Sequence, residues 1–188
     1  MNIYLIRHGQ SKWQTNETIC DNSDLTVIGE KQAIYLNDHI REIIDSEKES
    51  SVIHVSPLKR AIQTARSLGR QYKLNVEIKE APFHVASYLP QFENPHIYNR
   101  KLSEEIKYKR FREKVKTAIS NILLEEFKNI YCYTHAGVIK TFLRIIHDND
   151  SICYTINNCS ITKISWKNSR WHVKMLNQTL FLPKELIT

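Results

Sequence analysis

The sequence predicts a three-layer α/β fold: a mostly parallel central sheet with at least one antiparallel strand, and helices on both faces. Short apolar runs alternate with longer stretches of helical spacing over most of the chain. Two apolar runs joined by a short polar turn then close it. No repeat, Gly/Ser linker or low-complexity tract interrupts the 188 residues, so we expect one domain covering residues 1–188.

The first half of the chain is expected to supply three strands and two helices. Apolar residues recur on one face between positions 26 and 44, and Thr26 can cap that helix. Ser56 and Pro57 are typical of a helix start, because proline lacks the N–H that a first turn leaves unbonded. The predicted helices cover residues 26–44 and 56 to about 72. The predicted strands cover residues 2–6, 51–55 and 75–79.

An irregular segment over residues 80–101, with three prolines, separates these elements from the second half. The elements predicted after it are a helix over 103–127, a strand at 130–134, a helix over about 137–146, and hairpin strands at 160–166 and 171–176. The polar residues 168–170 join the two hairpin strands. We expect Trp166 and Trp171 to pack in the hairpin core or as a cross-strand pair.

Charge and cysteine content narrow the choice of partner. Lys and Arg number 27 against 20 Asp and Glu, and the net charge of +7 favours a phosphorylated metabolite, a nucleic acid or an anionic membrane. No apolar run approaches the roughly 20 residues that cross a bilayer, and the first run stops at Arg7, too early for a signal peptide. We therefore expect a cytoplasmic protein that has no membrane partner and whose four cysteines are buried free thiols.

Glycine is scarce, with four residues where average usage would give roughly 13. The four are Gly9, Gly29, Gly69 and Gly137. Two of them, Gly9 and Gly137, lie one and two residues beyond a histidine. We expect each glycine to be present for a backbone reason, because only glycine tolerates positive φ angles and very close approach.

Residues suited to binding an anion follow the predicted strands. Ligands bind beyond the carboxyl ends of parallel strands, so residues placed there should meet at one edge of the sheet. Arg7 and His8 follow the first strand, Arg60 comes shortly after the second, Glu80 follows the third, and His135 follows the fourth. Any one of these residues alone is more often structural, but five at one edge indicate a functional site.

The chemistry that this set favours is phosphoryl transfer. Guanidinium groups match phosphate oxygens with paired donors, and a neutral imidazole can attack phosphorus. A second imidazole, if protonated, can hold the transferring oxygens, while a carboxyl group exchanges the proton of the leaving oxygen. The predicted helix starts at Pro57 and near Gly137 would direct their positive ends at the anion. This chemistry needs no metal or other cofactor, and the sequence contains no HxH or HExxH spacing.

Several of these segments resemble the histidine phosphatase superfamily, the phosphoglycerate mutase-like proteins. Residues 7–9, Arg-His-Gly, look like the family signature, and residues 56–65 closely resemble its second motif. Further similar segments are residues 25–33, 134–139, 158–162 and 176–177. They occur in the family's order and span nearly the whole chain. The resemblance implies a phosphoglycerate mutase-like fold.

The resemblance also implies a role for each matching residue. His8 would be the nucleophile that forms a phosphohistidine, and Glu80 would be the general acid. The phosphate- and substrate-binding residues would be Arg7, Ser11, Gln14, Arg60, His135 and Ala136, with Ser11 and Gln14 at the pocket rim. The sequence departs from the family at His84, where glycine is common four residues after the acid.

Three functions are compatible with these residues. The preferred one is a phosphomonoester hydrolase that acts on a small phosphorylated metabolite through a phosphohistidine. A phosphoglycerate mutase-type transferase is less expected, because mutases of this family carry a C-terminal tail over the site and this chain ends soon after the hairpin. The third is a non-catalytic module that binds phosphate or nucleic acid.

A basic stretch bears on the third possibility. Eight Lys or Arg residues lie between positions 100 and 116, interleaved with Tyr108 and Phe111. This pattern fits a nucleic-acid patch. A solvated helix face is the preferred interpretation, since Glu104, Glu105 and Glu113 share the segment, and we therefore do not expect nucleic acid as a partner.

Aromatic and imidazole side chains in the irregular segment have two interpretations. They are Phe83, His84, Tyr88, Phe92 and His96. They either bind the non-phosphate part of the substrate, which would make His84 and Tyr88 substrate-binding residues, or they pack beneath a loop.

Overall fold

A single six-stranded sheet organises the protein. The computed structural model describes residues 1–91 and 101–188. Its strands are β1 (Asn2–Arg7), β2 (Ser51–Val55), β3 (Lys73–Leu74), β4 (Asn129–Thr134), β5 (Ile161–Lys167) and β6 (Arg170–Gln178). Their order across the sheet is β3-β2-β4-β1-β5-β6. Neighbours are parallel from β3 to β1, and β5 pairs antiparallel with both β1 and β6, as the sequence predicts.

Helices cover both faces of this sheet. They are α1 (Val27–Glu47), α2 (Lys59–Arg66), α3 (Ile106–Leu123) and α4 (Ala136–His147). On one face, Leu36 of α1 and Ala61 of α2 pack in a core cluster with the strands. On the other face, Val115 of α3 and Ile139 of α4 form a second cluster. The predicted three-layer α/β fold is therefore confirmed.

The start of α1 is fixed by a cap and by a pair of glycines. Thr26 accepts a hydrogen bond from the Gly29 N–H at 3.0 Å, so the predicted capping role is confirmed. A Cβ on Gly29 would lie 2.0 Å from the Gln10 carbonyl oxygen, and one on Gly9 would lie 2.6 Å from the Gly29 carbonyl oxygen. Only glycine at both positions allows the helix to pack this closely on the loop after β1.

The helix after β2 is shorter than predicted. It begins at Lys59 rather than at Ser56, because Asn22 from another loop accepts the Lys59 N–H at 2.9 Å. It ends at Arg66 rather than near residue 72, because Gly69 turns the chain with φ at +70°.

The predicted third strand at residues 75–79 is wrong. In this part of the chain, the residues that pair with β2 are Lys73 and Leu74. Asn75 then accepts the Glu77 N–H at 2.8 Å, and this local bond starts a 3-10 turn over Val76–Ile78. The alternation of Val76 and Ile78 reflects this turn, in which Val76 is exposed and Ile78 is buried.

The remaining elements follow the sequence closely. The hairpin forms with Asn168 and Ser169 at its turn, and Trp166 lies opposite Trp171 with ring centroids 4.8 Å apart.

All four cysteines are free, but Cys20 and Cys153 are exposed, so the expectation that all are buried is wrong. Phe92 and His96 lie outside the described residues. Over residues 1–91 and 101–188, no helix has the length and apolar character needed to cross a membrane.

Candidate active site

Two histidines meet where the adjacent strands β1 and β4 end. Because the strands are parallel and in register, His8 and His135 leave the sheet side by side. The His8 N–H donates to the Thr134 carbonyl at 3.0 Å, which fixes this pairing. The ring centroids are 5.0 Å apart, and both side chains are buried.

The tautomer of His8 follows from its backbone neighbour. Nδ1 lies 2.6 Å from the Gly9 carbonyl oxygen, which can only accept, so Nδ1 carries the proton. Nε2 therefore has a free lone pair, and it accepts a hydrogen bond from Arg60 Nε at 3.0 Å. Burial, together with Arg60 and Arg7, holds the pKa of His8 well below its usual value. The imidazole is neutral and has the lone pair that a nucleophile needs.

His135 is oriented by a serine. Its Nε2 lies 2.7 Å from the Ser56 hydroxyl, which is also fully buried. Its Nδ1 is buried and has no hydrogen-bond partner among the described residues. Burial and the neighbouring His8 and Arg60 hold the pKa of His135 well below its usual value. His135 is thus neutral in the free site, in contrast to the protonated form considered from the sequence.

Two guanidinium groups flank the histidine pair. Arg60, the second residue of α2, is 5% exposed and also donates from Nη1 to the Asp21 carbonyl. Arg7 donates from Nη1 to the Ile156 carbonyl, and its Nε has no partner among the described residues. Burial lowers the pKa of Arg7 to about 10, so the group remains charged at neutral pH. Neither arginine has its own carboxylate partner in a described ion pair, which leaves their charge available for an anion.

Glu80 reaches the site through the 3-10 turn rather than through a strand. The Thr134 hydroxyl donates to the Ile78 carbonyl at 2.7 Å and holds the turn against the end of β4. The half-buried carboxylate accepts from the Gly137 N–H at 3.0 Å and from the Ala81 N–H at 3.1 Å. Burial raises the pKa of Glu80, and the two amides and Arg60 and Arg7 act in the opposite direction.

Gly137 is the backbone residue that allows this approach. A Cβ at this position would lie 2.2 Å from Glu80 Oε1. The expected positive end of a helix is therefore present near Gly137, but one of its first amides already binds the Glu80 carboxylate. Ala136, the first residue of α4, is half-buried beside it.

Ser11 and Gln14 form a supporting network. Ser11 is fully buried, and both its N–H and its hydroxyl donate to Gln14 Oε1, while Gln14 itself is half-buried. Their place at the pocket rim stays a prediction. The Gln14 amide nitrogen donates to Asn158 at 3.2 Å, and Asn158 donates to the His8 carbonyl at 3.0 Å. The network holds the backbone of His8 in place.

The residues of the irregular segment stand apart from the histidine pair. His84 is exposed, and its ring lies 3.3 Å from the Ser87 hydroxyl. The Tyr88 ring packs edge-on against Phe83, with centroids 5.1 Å apart, and the Phe83 ring packs against Phe111. No described hydrogen bond joins His84 or Tyr88 to the phosphate residues. For Tyr88, the structure favours packing over substrate binding.

The basic stretch is a helix face, as preferred from the sequence. Tyr108 and Phe111 are buried in the core, so they cannot interleave with exposed cations. Lys109 pairs with Glu104 and Lys116 with Glu113. The described part of this stretch therefore lacks the exposed aromatic surface of a single-stranded nucleic-acid site.

Three residues near the histidine pair were not singled out as site residues from the sequence: Ser56, Asn158 and Lys114. Ser56 and Asn158 open two of the motif segments, and their position there is the signal that could have identified them. Lys114 donates to the Lys79 carbonyl at 3.1 Å and helps to lower the pKa of His135. Within the part of the chain that the structure describes, no group of three or more His, Cys, Asp or Glu residues is placed to hold a metal ion.

A pair of buried neutral histidines, flanked by arginines at the carboxyl edge of an α/β sheet, is suited to binding a phosphate group. The family model of the histidine phosphatase superfamily, branch 1, matches residues 3–82 and 84–179. The chain belongs to this superfamily, as the resemblance implied. No curated protein sequence matches the chain significantly.

Solved structures share the fold at low sequence identity. A phosphoserine phosphatase from Entamoeba histolytica, in complex with 3-phosphoglyceric acid, is 20% identical with a TM-score of 0.73, over 97% of this chain and 99% of that one. A mutant of that enzyme in complex with phosphoserine is 21% identical, with a TM-score of 0.70 and the same coverage. The alpha-ribazole phosphatase from Shigella flexneri is 19% identical with a TM-score of 0.69, over 95% and 96% of the two chains.

Proposed function

We propose that the protein hydrolyses phosphomonoesters of small metabolites through a phosphohistidine at His8. The observation that carries the proposal is the state of His8: a buried, neutral imidazole whose Nε2 lone pair faces Arg60, with His135 beside it. A histidine that served only to bind phosphate would donate protons, whereas this tautomer presents a lone pair.

The first chemical step transfers the phosphoryl group to His8. Phosphate oxygen carries more negative charge than imidazole nitrogen, so the Arg60 N–H is expected to move from His8 to the substrate and to free the lone pair. Nε2 then attacks phosphorus, and the bond from phosphorus to the alcohol oxygen breaks. The leaving oxygen takes a proton from Glu80, whose raised pKa favours the protonated acid.

The second step returns the enzyme to its starting state. The Glu80 carboxylate accepts a proton from water as the water oxygen attacks the phosphohistidine. The phosphorus–nitrogen bond breaks, and the electron pair returns to His8 Nε2. The oxygens of the transferring group are stabilised in both steps by Arg7, Arg60 and Nδ1 of His135. This Nδ1 has no hydrogen-bond partner among the described residues.

The structural neighbours support hydrolysis of a small metabolite. The phosphoserine and alpha-ribazole enzymes are phosphatases, and the first has been captured with phosphoserine and with 3-phosphoglyceric acid. These ligands are small phosphorylated molecules. On this basis we favour hydrolase over mutase chemistry for the present chain.

Rapid-quench analysis with labelled phosphomonoesters tests the proposal. We expect a label on His8 that is stable to base and labile to acid, and we expect the His8→Ala variant to lose both label and turnover. His172→Ala is the matched control, because this exposed histidine lies on the edge strand β6 and should leave both unchanged. Turnover near the wild-type rate in His8→Ala would contradict the proposal.

A further inference from the structure

Lys140 lies next to the phosphate site without a counterion of its own. It follows Gly137 by three residues on α4, and helical spacing places the two on the same side of the helix. Gly137 is the residue that binds the Glu80 carboxylate. The Lys140 side chain is half-buried, and among the described residues it has no hydrogen-bond or ion-pair partner.

The neighbours of Lys140 are mostly cations. Burial lowers the pKa of its ammonium group, Arg7 and Arg144 lower it further, and Glu80 opposes them. Arg7 and Arg144 both donate to backbone carbonyls, of Ile156 and Ile152, and neither belongs to a described ion pair. The Glu80 carboxylate is shared between two backbone amides. Among the described residues, three cationic side chains therefore share one carboxylate on this side of the site, and positive charge is in excess.

The other lysines of the region differ in this respect. Lys114 donates to the Lys79 carbonyl, so its ammonium group has a hydrogen-bond partner that Lys140 lacks. Lys109 and Lys116 are exposed and pair with glutamates on or near their own helix. Holding an unpaired ammonium group partly out of water costs free energy, and an anion that binds there recovers it.

We propose that Lys140 binds a second anionic group of the substrate, carried by the alcohol half that leaves when the phosphoryl group is transferred. This inference rests on the proposed function and adds a substrate class to it: phosphomonoesters that also bear a carboxylate or a further phosphate. The flexible lysine stem can reach such a group while its methylenes stay against the helix. Arg7 and Arg60 remain committed to the transferring phosphoryl group.

Matched substrates separate the second anion from the first. 3-Phosphoglycerate carries a carboxylate where glycerol 3-phosphate has a hydroxymethyl group, and glycerol 1,3-bisphosphate carries a second phosphate on that hydroxymethyl oxygen. We expect Lys140→Gln to raise KM roughly 10-fold for one or both of the doubly anionic substrates, with kcat little changed, and to alter glycerol 3-phosphate hydrolysis less than about 2-fold. The doubly anionic substrate whose KM rises in Lys140→Gln shows whether the second group is a carboxylate or a phosphate.

Two further variants control for charge and for folding. Lys140→Arg keeps the cation and should keep most of the preference. Lys174→Gln removes the same charge from an exposed position on β6 and should change the kinetics of none of the three substrates. Equal losses on all three substrates, or no loss on any, would overturn the role of Lys140 and leave phosphatase activity established.

Calorimetry makes the inference independent of turnover. In a His8→Ala background, which cannot form the phosphoenzyme, we expect 3-phosphoglycerate or the bisphosphate to bind more tightly than glycerol 3-phosphate. Lys140→Gln should abolish that preference. If the wild type hydrolysed no phosphomonoester, the proposed function would fail, and this binding preference would still decide whether Lys140 selects a second anion. Equal binding of all three ligands would refute the inference.

Discussion

At the scale of single residues, the tautomer of each histidine of the site depends on the hydrogen bond that its non-reacting nitrogen makes. The Gly9 carbonyl takes the Nδ1 proton of His8 and leaves Nε2 free. Ser56 binds Nε2 of His135, and Nδ1 has no hydrogen-bond partner in the described part of the chain. If the hydroxyl donates to Nε2, Nδ1 carries a proton and can donate to a phosphate oxygen. A backbone carbonyl and a buried hydroxyl thus give two neutral imidazoles opposite roles.

Removing the Ser56 hydroxyl should therefore impair His135 without removing it. We expect Ser56→Ala to lower kcat/KM about 10-fold, because the proton of His135 is then free to move to Nε2. Nitrogen NMR of the imidazole should show a mixture of tautomers in the variant and a single one in the wild type. Ser51→Ala, at the opposite end of β2, is the control and should alter neither measurement.

Glu80 can be tested through the basicity of the leaving group. An alkyl phosphate leaves as a basic alkoxide that needs a proton in the transition state, whereas a nitrophenyl phosphate leaves as a stable phenolate. Glu80→Gln should slow the phosphorylation step roughly 100-fold for the alkyl ester and far less for the aryl ester. Burst rates measured before steady state isolate that step. Equal losses for both esters would mean that Glu80 is structural.

At the scale of secondary-structure elements, the site depends on contacts between segments that are distant in the chain. The Thr134 hydroxyl at the end of β4 binds the 3-10 turn before Glu80, and Gly137 at the start of α4 binds the carboxylate itself. One strand–helix junction thus positions His135 and Glu80 together. A change at this junction should affect both residues.

Gly137→Ala tests the junction. The added Cβ would meet Glu80 Oε1 at 2.2 Å, so the carboxylate must move away from the amide. We expect the variant to show the leaving-group dependence of Glu80→Gln, although alanine favours α4 by about 1 kcal/mol over glycine. Gly69→Ala is the opposite case: its Cβ has open space, but its φ of +70° makes the substitution destabilising. Activity lost only in Gly69→Ala would contradict this account.

The same elements explain what the sequence could predict. The buried strands and the start of α1 depend on apolar runs and a local cap at Thr26, so they were predictable. The helix after β2 starts later than predicted because the Ser56 hydroxyl binds His135 and the Asn22 side chain accepts the Lys59 N–H. The third strand was wrong because the Asn75 side chain forms a local turn that periodicity does not reveal.

The residues of the site are likewise only partly predictable from the sequence. Strand ends bring His8, Arg7 and His135 to one edge, and a parallel sheet makes this predictable. The bridge between Ser11 and Leu25 and the serine partner of His135 are contacts between separate segments, and residue order alone does not specify them.

At the scale of the whole molecule, the two buried histidines of the site lower the free energy of unfolding at acidic pH. Folding removes His8 and His135 from water into a region that already contains two guanidinium groups, so both have folded-state pKa values far below the usual 6.5. The unfolded chain exposes the same imidazoles, and they bind protons below about pH 6.5. Below that pH the unfolded state therefore binds more protons than the folded state, and stability must fall as the pH falls.

The expected size of the effect can be measured with one substitution. Between pH 7 and pH 5.5, each of the two histidines should lower the free energy of unfolding by about 1 kcal/mol, because each is mostly protonated in the unfolded chain and neutral in the folded one. Urea unfolding at both pH values, in buffer without phosphate or other anions that bind the site, should show a smaller loss for His135→Gln than for the wild type, by about 1 kcal/mol. His84→Gln removes an exposed imidazole and should behave as the wild type. Identical losses in the wild type, His135→Gln and His84→Gln would mean that His135 is protonated in the folded state. The Ser56 hydroxyl would then accept a hydrogen bond from Nε2, and the imidazole ring would be charged before phosphate binds.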